Sequence, residues 1–156
     1  IGKSISEVFF QEMSVKKNMR FKCWPFFIKT VKHLFFIALP ISFFIALFGP
    51  YLFQIVFGEQ WKISGEIARY LAIVFLFTFV VSTVSSVFSV SGYIKRGAFW
   101  KHLYLITSLS IFTFSMFAGL KFFEFLLLFT IHEIVLYLIY FYLIAKSVRQ
   151  MDERII

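Results

Sequence analysis

From Leu34 to Phe57 the chain runs for 24 residues without a charged side chain. A helix rises about 1.5 Å per residue, and a bilayer core takes roughly 20 apolar residues. The stretch is long enough to cross a membrane with some tilt. Three further predominantly apolar stretches follow, about Ile67–Val90, Ala98–Leu120 and Phe125–Ala145. Short polar segments separate them: Gly58–Gly65, Ser91–Gly97 and Lys121–Glu124. Composition identifies the solvent. Twenty-five residues are Phe, charged residues reach only 15%, and mean hydropathy is +0.86. Soluble domains carry about 25% charged residues, and a wet surface cannot be built around this many Phe side chains. The expected fold is all-α: a polytopic membrane helix bundle of about four transmembrane helices.

The flanks differ from the spans. Residues 1–33 mix apolar groups (Val8–Phe10, Trp24, Phe26–Ile28) with Lys16, Lys17, Arg20, Lys22, Lys29 and Lys32. This is too charged to span and fits an amphipathic interfacial segment divided by Pro25. Residues 34–145 form the four-span region (34–57, 67–90, 98–120 and 125–145), and 146–156 form a charged tail of helical character. Within the first span, Pro40 predicts a kink and Gly49–Pro50 a break or interfacial bend.

Basic residues set the orientation. Residues 1–33 hold seven Lys/Arg, the 91–101 turn three and the tail three; the other side holds only Lys62, Arg69 and Lys121. Thirteen against three is a positive-inside signal. It places both ends in the cytoplasm and requires an even number of spans. The same distribution argues against nucleic acid as a partner, because the charge is not gathered on one soluble face. The single Cys23 excludes an intrachain disulfide and a cysteine-based zinc cluster. The chain opens on Ile1 without a signal-peptide pattern, and reads as a piece cut from a longer protein.

Polar residues inside the spans are the candidate sites. Thr78, Ser82, Ser85 and Ser89 follow steps of four, three and four, which puts them on one helix face. Such a stripe either packs helices closely or lines a polar cavity. His132 and Glu133 lie near the middle of the last span, where ionisable residues are costly and mark function by default. They are candidates for coupling to H⁺ or Na⁺, or Glu133 is protonated and bonded to a neighbouring helix. Adjacent residues point about 100° apart, so the two do not fully share a face. A His-Glu-x-x-His zinc motif fails because position 136 is Leu136. Glu66 and Arg69, three residues apart, either pair with each other or contact a charged substrate. His102, beside Trp100 and Lys101, reads as interfacial. No catalytic constellation, metal cluster or cofactor motif is present in the sequence.

The run Leu47-Phe-Gly-Pro-Tyr-Leu-Phe-Gln-Ile-Val-Phe-Gly-Glu-Gln-Trp-Lys-Ile-Ser-Gly65 carries the most specific signal. It resembles the hallmark of bacterial polysaccharide biosynthesis proteins, the O-antigen and exopolysaccharide flippases of the multidrug/oligosaccharidyl-lipid/polysaccharide exporter superfamily. Phe57, Gly58, Glu59, Trp61, Ser64 and Gly65 match, with Ser64 where Ala is commoner. Upstream, Ile1–Gly2 and Val8–Glu12 are similar to the segment leading into that helix, and Val80–Gly92 to the one that follows. The resemblance covers about residues 1–95; beyond them only hydropathy agrees. Gly58 and Gly65 are expected to permit a tight reversal and Trp61 to sit at the outer interface, so the motif builds a hairpin and does not touch substrate.

The resemblance implies the last four helices of a larger two-lobed transporter in the cell's inner or plasma membrane, not an enzyme. Its substrate would be an undecaprenyl-pyrophosphate-linked oligosaccharide, an O-antigen or exopolysaccharide unit, as in lipopolysaccharide synthesis. It would work by alternating access together with the missing N-terminal helices. On that reading Arg69, Glu66, Ser82, Ser85 and Ser89 are substrate or cavity candidates. The competing class is a non-transporting four-helix membrane subunit or anchor. A membrane enzyme acting on polyprenyl lipids is weaker, because it needs clustered acidic residues in a cytoplasmic loop.

Overall fold

The computed structural model describes residues 2–154; Ile1, Ile155 and Ile156, at the ends of the terminal segments named above, lie outside the described residues. The element order is α1 (Gly2–Asn18), α2 (Trp24–Phe57), a 3-10 turn (Glu59–Trp61), α3 (Lys62–Val84), α4 (Val87–Ser91), α5 (Ile94–Phe117) and α6 (Phe122–Glu153). The described residues form an all-α membrane helix bundle without strands.

Pro25 stands in the first turn of α2, where its missing N–H is no loss. The helix therefore starts at Trp24, ten residues ahead of the apolar run. At about 1.5 Å per residue its 34 residues reach roughly 51 Å, so it projects beyond a core of about 30 Å. It also stays helical through Pro40 and Pro50. The break expected at Gly49–Pro50 does not occur, because α3 packs closely on that segment and holds it. Gly65 is not part of the reversal either: it lies inside α3. A Cβ there would sit 2.7 Å from the Gly49 carbonyl oxygen and 2.8 Å from Pro50 N, and closer still to Pro50 Cα. Gly65 thus lets two helix backbones touch, the small-residue contact typical of membrane helices. The reversal rests on Gly58 alone, with φ +99° and its N–H bonded to the Gln54 carbonyl at 2.8 Å.

The second span is interrupted at Ser85–Ser86, between α3 and α4. Ser85 N–H and Oγ both bond the Ser82 carbonyl, at 3.2 and 2.7 Å, tightening the last turn. Hydroxyls that compete for backbone carbonyls in this way bend or end helices. Among the described residues three helical segments are long and apolar enough to cross a membrane: Trp24–Phe57, Glu59–Ser91 and Phe122–Glu153. Helix α5 has the length, 24 residues, but Lys101, His102, Thr107, Ser108, Ser110, Thr113 and Ser115 dilute its apolar character.

The densest packing lies at the end where the basic residues gather. Phe9 and Met13 of α1, Cys23 and Phe27 at the start of α2, Val84 and Val87, and Ile144 and Val148 of α6 are almost fully buried together. Polar clamps tie the same end. Lys17 Nζ donates to the Val90 carbonyl at 2.6 Å. Arg96 donates to Ser147 Oγ at 3.0 Å and to Gln150 Oε1 at 2.6 Å. The Asp152 carboxylate accepts from the Cys23 and Trp24 N–H groups at 2.8 and 2.9 Å, which caps α2 from a residue 129 positions away. Three segments singled out by charge alone are thus in contact. Away from this end the helices expose apolar faces, for example Phe36, Phe43 and Ile55 of α2 and Leu105, Phe112 and Phe117 of α5. Lipid tails are as apolar as these side chains and give the helices little reason to close; a wet end rewards burial.

Candidate functional site

Helix α6 packs against both α3 and α5 along a seam in which aromatic hydroxyls alternate with small polar groups. Trp100, Tyr104 and Ser108 of α5 are spaced four apart, and Glu133, Tyr137 and Tyr140 of α6 four and three apart, so each set occupies one face. Trp100 stacks on Tyr140 with ring centroids 3.8 Å apart and donates its indole N–H to the Leu136 carbonyl at 3.2 Å. The Tyr104 hydroxyl lies near the Glu133 carboxyl and Ser108, and Ser108 Oγ is buried without a hydrogen-bond partner. Tyr137 lies near Thr78 of α3, and Tyr140 lies near Ser85 at the helix break.

Glu133 sits at the centre of the seam, 3% exposed. His132 Nδ1 lies 3.6 Å from Glu133 Oε1, just beyond hydrogen-bond range. Adjacent positions on a helix are expected to diverge, yet these two side chains curl toward one another. Glu133 Oε1 and both His132 nitrogens are buried without a hydrogen-bond partner. Buried polar atoms are nearly always satisfied, so three orphans on two neighbours mark a place for chemistry.

The serine stripe separates where the helix breaks. Thr78 lies near Tyr137, Ser82 is exposed, and Ser85 and Ser89 line a cavity of about 320 Å³ with Ser86, Lys101 and Tyr140. Ser86 Oγ is itself buried without a partner. Glu66 and Arg69 pair at 3.2 Å, half-exposed near the opposite end of the bundle. Sixteen residues of helix, about 24 Å, separate Arg69 from Ser85. The candidates therefore form two polar sites at opposite ends with Glu133 between them, and not one cavity. An exposed pair of this kind is worth at most about 1 kcal/mol, so both partners can turn to another ligand cheaply. The hairpin residues cluster at the same end as Glu66: Phe57 packs on Trp61 at 5.6 Å, and Gln54 donates to Glu59. His102 is exposed and bonds only its own helix, to the Ala98 carbonyl.

Sequence reasoning missed Trp100, Tyr104, Ser108, Tyr137, Tyr140 and Lys101. The signal was present: three polar or aromatic residues at four-residue steps on α5, and two tyrosines on the Glu133 face of α6. Each tyrosine read alone is an ordinary membrane aromatic. Among the described residues no group of three His, Cys, Asp or Glu is placed to hold a metal ion.

At the basic end, burial pushes the Cys23 thiol up to about 11, with the Asp152 carboxylate adding and Lys16 and Lys17 opposing. The thiol is inert at neutral pH.

Residues 1–66 match a family model described as polysaccharide biosynthesis protein. The match supports a membrane protein of a polysaccharide biosynthesis family. It spans α1, α2, the Gly58 turn and the Gly49–Gly65 contact, and stops short of Arg69 and of the seam. No curated protein and no solved structure matches the chain.

Proposed function

We propose that the chain is the C-terminal part of a membrane flippase that exports lipid-linked oligosaccharide, of the O-antigen or exopolysaccharide class, by alternating access. The observation that carries this reading is the family match over residues 1–66, which covers the residues of the Phe-Gly-Glu-x-Trp hairpin. The bundle supports it in two ways. Extended apolar faces on α2 and α5 suit contact with further helices of the parent transporter as well as with lipid. Polar sites lie at both ends, Glu66–Arg69 at one and Ser85–Ser89–Lys101 at the other, as a carrier of an anionic headgroup requires on its two sides. The basic end faces the cytoplasm of the inner or plasma membrane, and both termini lie on that side. Glu133 and His132 are the ion-coupling pair, and no catalysed bond change is part of the reading.

The test is disruption of the gene in its host, followed by measurement of lipid-linked oligosaccharide in the cytoplasmic leaflet and of glycan at the surface. Accumulation inside with loss at the surface, both reversed by the intact gene, is the expected result. Normal surface glycan, or loss of the lipid-linked precursor itself, contradicts the reading; the latter points to a subunit of the synthetic machinery.

A further inference from the structure

The transport reading leaves the identity of the coupling ion and its route unassigned. An uncompensated carboxylate in an apolar interior costs several kcal/mol. Among the described residues neither of the two ion pairs brings a Lys or Arg to Glu133. The titratable groups around it are His132 and Tyr137 on its own helix and Tyr104 on α5; the neighbouring face of α3 supplies Thr78, an uncharged hydroxyl. A hard cation such as Na⁺ takes several oxygen ligands. Here the unpartnered Glu133 Oε1 has His132 Nδ1 at 3.6 Å, and among the described residues no second carboxylate joins the two. A proton suits this set. Placed on Glu133 Oε1, it makes a donor facing His132 Nδ1 across 3.6 Å, and a small side-chain shift closes that gap to a hydrogen bond.

A route is also present. The cavity of about 320 Å³ opens at the basic end and is lined by Ser85, Ser89, Lys101 and Tyr140. Tyr140 is followed on the same face of α6 by Tyr137, three residues on, and by Glu133, four further. Each tyrosine hydroxyl has a second hydroxyl beside it, Ser85 for Tyr140 and Thr78 for Tyr137. A hydroxyl both donates and accepts, so such a series can pass a proton on without itself becoming charged.

We propose that Glu133 is a reversible proton-binding site, reached from the serine cavity at the basic end along the Tyr140–Tyr137 face of α6. Its use in coupling rests on the transport reading; its existence does not.

The test uses the full chain in phosphatidylcholine vesicles and infrared difference spectra between about pH 6 and pH 9, where ordinary exposed carboxyls are almost fully ionised. A protonated-carboxyl band is expected to appear at the lower pH, to vanish in Glu133→Gln, and to persist in Glu66→Gln and Glu124→Gln. Glu133→Asp, which keeps the acid if the amide variant fails to fold, should shift the band without removing it. Tyr140→Phe should slow the response to a pH jump and leave its final amplitude unchanged. No pH-dependent band, or one that survives in Glu133→Gln or stays unshifted in Glu133→Asp, overturns the site. An unchanged rate in Tyr140→Phe overturns the route. An intact band in a protein whose disruption leaves glycan export normal overturns the transport reading and leaves the proton site standing.

Discussion

Replacing Gly65 by alanine is expected to destabilise the bundle by about 1–3 kcal/mol, the usual cost of overpacking, although alanine is the better helix former by about 1 kcal/mol. The geometry sets the sign. The added Cβ meets the Gly49 carbonyl oxygen at 2.7 Å and Pro50 N at 2.8 Å, both backbone atoms that no rotamer change can move. Relief requires α2 and α3 to part along the most extensive helix contact in the molecule, and Gly65→Val should cost more. Gly97→Ala is the control. The atoms nearest its Cβ all belong to the Phe88 side chain, the first at 3.1 Å, and a ring can turn aside. Reversible unfolding in mixed detergent micelles should rank Gly65→Val as least stable, then Gly65→Ala, with Gly97→Ala nearest the parent. Equal stability of Gly65→Ala and Gly97→Ala would show that the two backbones do not touch.

Removal of the Asp152 carboxylate should loosen the basic end. In Asp152→Ala two N–H groups, those of Cys23 and Trp24, lose their acceptor. The buried Cys23 donor costs about 1–3 kcal/mol when orphaned and the part-buried Trp24 donor less, so the variant should lose roughly 2–4 kcal/mol. Asp152→Asn keeps one acceptor and should lose about half of that. The readout is Cys23. Its thiol is buried and raised to about 11, first by burial and then by the Asp152 charge. Alkylation of the folded parent should be slow at pH 8 and climb as pH approaches 11, because the thiolate is the reacting form. Asp152→Ala removes both the cap and the charge, so labelling at pH 8 should become fast. Unchanged labelling would mean that Asp152 does not hold the junction.

Much of the architecture was legible in the chain because the bilayer imposes so coarse a rule. Apolar runs such as Leu34–Phe57 become helices, and Lys and Arg collect on one side of them. The details that failed were decided by contacts between distant residues. Pro50 does not break α2 because α3 lies against it, and Gly65 is a contact glycine and not a turn glycine for the same reason. The interruption at Ser85–Ser86 comes from serines that read equally well as a packing stripe. Glu133 stood out because a carboxyl in an apolar run is rare. Its neighbours did not, since Tyr104, Tyr137 and Tyr140 gain meaning only when α5 is laid against α6. Asp152 as the cap of α2 carries no local signature, with 129 residues between the partners.

A membrane bundle of this kind keeps its basic segments on one side and the Gly58 reversal on the other. Single cysteines at Gln60 and Ile94, both exposed, test that arrangement directly in intact cells. The reagent is a membrane-impermeant maleimide at pH 7, against a background in which buried Cys23 does not react. Gln60→Cys should label from outside and Ile94→Cys only after the cells are opened. Labelling of both positions from the same side would contradict the account.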